Sequence, residues 1–474
     1  MKASSYNFLL PGQDGSWLLF NARTGNMIDL AGPNALALAQ SLIGANSDEE
    51  IAVDAESFQV LTSKEFIVDD LFDELGAIRT AYWQARHNAP VVVTITTTLD
   101  CNLGCFYCYE ERSSDSLAAE DIHSILAKIA GLLQDSPRRS IHVDWYGGEP
   151  TLNLRFLEEA SVAIQKLCST MCVIYSASII SNGTMWPHDV EAFIKRHRIR
   201  QVQITFDGLR ALHDRRRRFT QRVDFERSSF DEAVALISRL VHVCRVDIRF
   251  NIDELNRSDF IQFVEFALSQ RWFSAKFRAT FQPACVGPFT EKSRFVEKIG
   301  LSEEEFHRLK RQAARMLPSG VMEEPETPSG YAAPKTSVCA ALSNNAIVIG
   351  ADRRTYRCGL QVSERGRAVG TLDHVTFRIL NNEGSSDDER WWDEFDPTSL
   401  ASCARCSFLP ICLGGCAKKH LDKDVGALDA LSLYWRKHLP RLIYKTADIP
   451  EMTWEFTEQD QFRDSPSASA LTPL

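Results

Sequence analysis

The chain has no apolar run approaching 18 residues, so no segment of it is suited to cross a bilayer as a helix. Its opening residues, Met1-Lys-Ala-Ser-Ser-Tyr-Asn, lack the apolar core of a secretory signal, and a cytoplasmic location is expected. Positive charge is short: 53 Lys and Arg stand against 63 Asp and Glu, a net charge of −10. Such a balance argues against nonspecific nucleic-acid binding, and neither nucleic acid nor membrane is expected as a partner. Cysteine is plentiful at 13 residues but is not spread evenly; it gathers at metal-like spacings, which disfavours a secreted disulfide scaffold. With 474 residues, 44% hydrophobic and 24% charged, the chain has ordinary globular composition and length for two to four domains.

The stretch around which the rest is organised is Cys101-Asn-Leu-Gly-Cys105-Phe-Tyr-Cys108. It follows Val91-Val-Val-Val-Thr-Ile-Thr-Thr-Thr98, a short β-branched run that reads as a buried strand. Three thiolates at this spacing can reach three irons of a cubane cluster, which normally takes four. The fourth iron would have no protein ligand and could bind and reduce a substrate. Half of a zinc site is the competing reading, but zinc structural sites pair cysteines with two further ligands, and none lies nearby. Packed thiols are another, although Asn102 and Gly104 do not suit a core.

Downstream, strand patterns at 91–98, 140–146, 173–180, 200–206, 245–251 and 275–281 alternate with helical patterns such as 118–133, 154–167, 189–197, 231–242 and 259–270. Six βα units predict a parallel sheet curled into an open barrel, with ligands at the carboxyl ends of its strands. That rule brings together the cysteine loop, Gly147-Gly148-Glu149-Pro150, Ser181-Asn182-Gly183-Thr184 and Asp207-Gly208. The two glycines would let backbone approach a ligand, and Glu149 could accept hydrogen bonds from an ammonium. By themselves these are also ordinary turns. The run Arg215–Arg218, in so acidic a chain, reads as a solvated face or an anion contact.

A second cysteine group, Cys403-Ala-Arg-Cys406-Ser-Phe-Leu-Pro-Ile-Cys412-Leu-Gly-Gly-Cys416, has Cys339 and Cys358 upstream. Alone it fits zinc and iron–sulfur equally. Cys168, Cys172 and Cys244 fall in helix or strand patterns and read as packed thiols.

Cys101, Cys105 and Cys108 with Tyr107 resemble the CxxxCxxC signature of the radical S-adenosylmethionine (SAM) enzymes, and the order of the two cysteine groups resembles a member carrying a C-terminal SPASM domain. The resemblance implies an α/β fold: a partial (β/α)6 TIM-like barrel over 90–285, a connector over 286–338, an iron–sulfur domain over 339–420, and a C-terminal helix and frayed tail over 421–474. Residues 1–85, a β-hairpin followed by helices, resemble the winged-helix-like (PqqD-like) peptide-recognition domain of peptide-modifying relatives. A plain N-terminal extension is the simpler reading.

Carried over position by position, Cys101, Cys105 and Cys108 would hold a SAM-binding [4Fe–4S] cluster. Tyr107, Gly147, Gly148, Glu149, Ser181, Asn182, Asp207 and Arg217 would contact SAM. Cys339, Cys358 and Cys416 would serve one auxiliary [4Fe–4S] cluster, and Cys403, Cys406 and Cys412 a second. This chain departs from the pattern in two places. Seven residues separate Gly350 from Cys358, and no cysteine follows Cys416 to complete the second cluster: His420, Asp422 or Asp424 takes its place, the iron is open, or that cluster is absent. Cys285 is a candidate fourth ligand for the first. The implied activity is modification of a ribosomally made precursor peptide with a leader, by a carbon–carbon, carbon–oxygen or thioether crosslink, with a small redox protein or other low-potential donor as partner. Formylglycine formation, as by sulfatase maturases, and peptide epimerisation are alternatives. An iron–sulfur redox sensor is the reading from outside enzymology.

Overall fold

The computed structural model describes residues 1–32, 34–43, 54–220, 227–277, 279–322, 332–372 and 387–462. Residues 323–331 of the expected connector, and the end of the polar tail, lie outside these.

The chain divides into two compact units that do not follow sequence order. One comprises Met1–His87, Glu324–Leu342 and Trp391–Leu474; the other comprises Asn88–Glu323 and Ser343–Arg390. In the first, β1 (Lys2–Ala3) pairs antiparallel with β5 (Ile67–Val68), and β2 (Asn7–Pro11), β3 (Trp17–Asn21) and β4 (Met27–Leu30) form a meander. Helices α1 (Ala35–Ser41), α2 (Ala55–Ser63) and α3 (Glu74–His87) accompany them. Leu19, Leu42, Leu61, Phe66 and Ile67 form a small core between strands and helices. The last of these helices starts only at Glu74, because residues 67–68 are taken up by β5. The same unit contains the 403–416 cysteines. Phe8 stacks on Phe408 with ring centroids 5.1 Å apart, and the fully buried Arg86 donates to the carbonyls of Phe395 (2.9 Å) and Trp392 (3.0 Å).

The second unit is built on six parallel strands: β6 (Val91–Thr96), β7 (Ser140–Tyr146), β8 (Ile174–Ser181), β9 (Ile199–Phe206), β10 (Arg245–Ile252) and β11 (Thr280–Cys285). Between them run α4 (Asp121–Asp135), α5 (Leu154–Thr170), α6 (Val190–Arg196), α7 (Arg210–Arg216), α8 (Ser229–Leu240) and α9 (Arg257–Ser269), with α10 (Glu303–Met316) after β11. Alternate strand residues such as Val91, Val93, Ile95, Ile141, Val143 and Trp145 bury against these helices. The opposite face is polar. There His142 meets Ser176 at 2.9 Å and Asp144 at 3.2 Å, and Asp247 accepts from Thr280 and Gln201. An apolar face toward helices and a polar face within is the pattern of a barrel sheet that leaves room inside for a ligand.

The sheet continues past β6. β12 (Ala346–Ile349) pairs parallel with β6, followed by antiparallel β13 (Arg354–Tyr356) and β14 (Gly370–Thr371). The 339–372 stretch, expected within a separate iron–sulfur domain, thus largely extends the barrel sheet. The long interval between Gly350 and Cys358 is a hairpin: the Gly350 N–H donates to the Arg354 carbonyl at 2.8 Å, and Arg353 takes φ 63° at the turn. The sixth strand lies a few residues later than its expected place, since Trp272–Ser274 forms a helical turn ahead of it. Cys172 is exposed at a left-handed turn (φ 55°), not packed; Cys168 and Cys244 are buried as expected.

Candidate active site

The carboxyl ends of β6 to β10 converge on the cysteine loop, and the loop is clamped from two sides. From β7, the Gly148 N–H donates to the Thr98 carbonyl (3.0 Å) and the Glu149 N–H to that of Asp100 (2.9 Å). A Cβ on Gly147 would lie 2.2 Å from the Thr98 oxygen, and one on Gly148 would lie 2.4 Å from the Asp100 oxygen. Gly147 also sits at φ 140°. The glycine pair was expected to admit a ligand; what it admits is the backbone that leads into Cys101. From the other side, the segment after α7 pairs with the loop. The Gly104 N–H donates to the Arg218 carbonyl (2.7 Å), the Thr220 N–H donates to that of Asn102 (2.9 Å), and Leu103 bridges Phe219.

Held this way, the three thiols sit in a half-buried cradle. Burial pushes the Cys101 thiol up to about 12 and Cys108 up to about 11, with Cys105 raised as well. Bare, such thiols are protonated and poor nucleophiles at neutral pH, which argues against cysteine catalysis. A metal centre supplies the positive charge that deprotonates them. The Leu103 N–H points at Cys101 Sγ (3.5 Å), as does Asn182 Nδ2 (3.8 Å), the donors a metal-bound sulfur uses. The donor set therefore fits a [4Fe–4S] cluster on Cys101, Cys105 and Cys108.

Glu149 is fully buried beside the loop. Its Oε1 accepts from the Thr151 hydroxyl (2.6 Å), the Ser181 hydroxyl (2.9 Å) and the Thr151 N–H (3.1 Å), while among the described residues Oε2 accepts only from the Asn182 N–H (2.7 Å). Burial raises its pKa, and these four donors oppose the rise. A carboxylate oxygen has about two lone-pair sites, so Oε1 is saturated and Oε2 keeps one free for an ammonium. Ser181 and Asn182 help hold Glu149 and the cysteine loop in place: Asn182 Nδ2 donates to Asn102 Oδ1 at 2.8 Å, while Asn182 Oδ1 accepts from the Thr184 N–H (2.9 Å) and hydroxyl (2.7 Å).

A second polar knot closes the mouth. The Tyr107 hydroxyl donates to Asp207 (2.7 Å) and accepts from Arg217 Nη1 (2.9 Å) and Asn251 Nδ2 (3.2 Å). Asp207 is fully buried; burial raises its pKa while Arg217 and Arg216 pull it down. Arg216 forks onto Asp253 (2.7 and 3.2 Å) and reaches Asp207 at 3.2 Å. The run of four arginines is thus not one solvated face. Arg216 and Arg217 turn inward and are buried, while Arg215 and Arg218 are exposed. Arg216, Asp253, Thr151 and Asn102 were missed in the sequence; only the Arg run and the residue after Glu149-Pro150 hinted at them.

Residues 95–267 match the description "Radical SAM superfamily". This stretch is a radical SAM domain. Enzymes of that superfamily use a [4Fe–4S] cluster and SAM. Among solved structures the chain is similar to native anSMEcpe with bound AdoMet and Kp18Cys peptide (TM-score 0.54, 17% identity, 76% of this chain and 100% of that one). It is similar also to a histidine-tagged form of anSMEcpe with bound AdoMet (TM-score 0.51, 18% identity, 69% and 89%). Streptococcus suis SuiB bound to precursor peptide SuiA gives a TM-score of 0.49 at 14% identity, covering 88% and 95%. At these identities the likeness is one of fold. No curated protein matches the chain.

The 403–416 cysteines belong to the other unit. Cys403, Cys406 and Cys412 lie close together: a Cys412 thiolate would raise the pKa of both Cys403 and Cys406, on top of burial, which takes Cys403 to about 11 and Cys406 to about 12. Cys339 is paired in the same sense with Cys416. Cys358 lies in the barrel unit, just after β13. Leu413, Gly414 and Gly415 take φ 49°, 76° and 74° in succession, turning the chain from Cys412 to Cys416. The candidate fourth ligands are otherwise engaged: His420 Nε2 lies 2.7 Å from the Gly414 carbonyl, and Asp422 and Asp424 pair with Lys418 (2.6 Å) and Lys419 (2.8 Å). Cys285 packs its thiol beside the barrel core at the end of β11.

Proposed function

We propose that the chain is a radical SAM peptide maturase that forms a side-chain crosslink (carbon–carbon, carbon–oxygen or thioether) in a ribosomally made precursor peptide. The observation that carries this reading is the one chain's combination of a three-thiol loop in a barrel mouth with five further cysteines gathered in a second unit that also holds the N-terminal strands and helices. A protein of this fold carries AdoMet and a peptide together, which supports a peptide as the second reactant.

A cluster on Cys101, Cys105 and Cys108 with SAM supplies one-electron cleavage of the sulfonium and a 5′-deoxyadenosyl radical able to take hydrogen from unactivated carbon. The chain's own part is placement. Glu149 Oε2 would receive the ammonium of the SAM methionine moiety, and the Asp207–Tyr107–Arg217 knot would fix the loop against the far wall of the mouth. The helix-backed strands would keep water and oxygen from the polar lumen. In the second unit, Cys403, Cys406 and Cys412, and Cys339 with Cys416, would hold one or two auxiliary clusters able to take an electron from an oxidised substrate or hold a substrate thiolate. The N-terminal meander would recognise the leader by pairing at a strand edge.

The test is anaerobic reconstitution with iron and sulfide, then SAM, dithionite and the candidate precursor peptide. Release of 5′-deoxyadenosine with loss of two hydrogens from the peptide per event is the expected result. Deoxyadenosine with unchanged peptide mass would replace crosslinking by epimerisation, and a formylglycine in the product would replace it by sulfatase-type maturation. Absence of deoxyadenosine would leave only a redox sensor.

A further inference from the structure

The second cysteine group gathers a positive charge and several N–H donors on one of its sulfurs. Lys335, in the segment that leads to Cys339, is held at two points on the chain between Cys406 and Cys416. Its N–H donates to the Pro410 carbonyl (2.9 Å) and its Nζ to that of Cys412 (2.9 Å). This half-buried ammonium meets no carboxylate among the described residues, whereas Lys418 and Lys419 pair with Asp422 and Asp424. Trp435, on the helix Val425–Thr446, is 4% exposed, and its indole N–H is left without a hydrogen-bond partner among the described residues. Both groups bear on Cys412. Burial raises that thiol, and Lys335, the Trp435 N–H and the backbone N–H groups of Gly414 and Gly415 lower it, in that order. The run of left-handed residues at 413–415 turns those two amides back toward the cysteine. At the other two thiols the donors are neutral: the Ser402 hydroxyl at Cys403, and the Phe408 N–H and the Gln461 amide at Cys406. Gln461 is itself oriented by Arg436 Nε at 2.8 Å. An orphaned indole N–H beside two turned amides fits a sulfur that carries negative charge, as a metal-bound thiolate does.

We infer that Lys335 and Trp435 raise the reduction potential of the iron–sulfur centre that Cys403, Cys406 and Cys412 would hold, and make it the preferred electron acceptor of the second unit. The inference rests on the auxiliary-cluster reading of these cysteines. Each electron taken up adds one negative charge to a thiolate-ligated centre, so hydrogen bonds to its sulfurs and a cation beside it favour the reduced form. An ammonium that is half-buried and has no counter-ion acts at short range and is weakly screened. Lys335 also bears on Cys339, so its charge reaches a centre held on that side, whereas Trp435 distinguishes the two. The change is a one-electron reduction by a low-potential donor; no bond breaks and no proton moves. Lys335 and Trp435 keep their own state throughout and are positioning residues.

The test uses the full chain, reconstituted with iron and sulfide and carrying Cys105→Ala so that only the second group responds. A redox titration with dithionite and mediators is followed by EPR and visible absorbance, and the wave lost on adding Cys406→Ala identifies the centre concerned. Read at that wave's original midpoint, the reduced-to-oxidised ratio should fall roughly tenfold in Lys335→Gln and about threefold in Trp435→Phe. Lys335→Arg, which keeps the charge, should stay near the starting value, and iron content should hold in all three. Any further wave should be left in place by Trp435→Phe. An unchanged midpoint in either Lys335→Gln or Trp435→Phe would overturn the inference, as would loss of iron without a shift in midpoint, the mark of a merely structural role. Zinc at these cysteines, with no iron–sulfur absorbance before any further substitution, would instead overturn the cluster reading on which the inference rests.

Discussion

Cys101, Cys105 and Cys108 sit on a loop whose shape is imposed from outside, by the Gly147-Gly148 backbone on one flank and residues 218–220 on the other. Cys403, Cys406 and Cys412 instead lie on short helical turns that shape themselves: the Cys406 N–H donates to the Cys403 carbonyl (3.0 Å) and the Cys412 N–H to that of Phe408 (2.9 Å), with three left-handed residues carrying the chain on to Cys416. The outside clamp fixes the first group relative to Glu149 and Asp207, which a site that must present a cofactor to a substrate requires. The second group is tied as well to distant parts of its own unit: the Ser407 N–H donates to the Gln461 carbonyl (2.8 Å), the Lys335 N–H to that of Pro410 (2.9 Å) and Lys335 Nζ to that of Cys412 (2.9 Å). A disturbance in the barrel should therefore disable the first group and spare the second.

Gly148→Ala breaks the comparison most directly. The new methyl group would stand 2.4 Å from the Asp100 oxygen, closer than atoms approach, so the loop must leave its place. SAM cleavage should drop to background, as with Cys105→Ala, while the iron–sulfur absorbance of the second group persists. Retention of cleavage in Gly148→Ala would mean that the clamp does not set the loop. The converse variant, Cys406→Ala, should keep most of the uncoupled SAM cleavage and lose peptide product. Full product from it, measured by mass, would remove any auxiliary role for the second group.

Next in size is Arg86. Its guanidinium lies over Trp83 at 4.6 Å and donates to two buried carbonyls; Arg86→Met takes this donor from Trp392, while the Tyr82 hydroxyl still donates to Phe395 at 2.8 Å. The expected loss is about 1–3 kcal/mol. Because α3 and the 403–416 segment share one unit, the loss should appear as weaker metal retention at the second group with the first group's SAM cleavage unchanged. Equal loss at both groups in a metal-release assay would refute the independence of the two. The same packing makes deletion of residues 1–85 a poor test of leader binding, since it would strip Phe8 from Phe408 and thereby unsettle the second group as well.

Strands and helices of the barrel were legible because each runs long enough for its period to show: apolar alternation at Ile141, Val143 and Trp145 in 140–146, and helical spacing in 154–170. The cysteine groups were legible because their spacing is short-range. Partnerships across the chain were not. That Gly148 faces Asp100, that β12 joins the distant β6, or that adjacent arginines part company at 216 and 217 depends on where strand ends meet in space, which no local period encodes. Nor could Thr151 be picked out, since a threonine after a proline has many uses and only its 2.6 Å bond to Glu149 gives it one.

Acid supplies the smallest and most selective probe of the comparison. His213 is wholly buried behind the Asp207 knot, its Nδ1 accepting the Asp207 N–H at 3.4 Å, and burial together with Arg217 and Arg216 holds its pKa well below the usual histidine value. In the folded barrel the ring stays neutral, while in the unfolded chain it takes up a proton as pH falls through about 6.5. The unfolded state then binds more protons, so stability drops on acidification, by about 1.4 kcal/mol for each pH unit below that point until the folded-state pKa is reached. His197, buried and likewise lowered, adds in the same direction. Unfolding followed between pH 7 and 5 should show this slope in the barrel unit, and His213→Gln, which keeps an acceptor for the Asp207 N–H, should flatten it. A slope unchanged by the substitution would mean that the ring is already protonated when folded, and the Asp207–Arg216–Arg217 balance at the mouth would then carry one positive charge more than its buried carboxylates are arranged to meet.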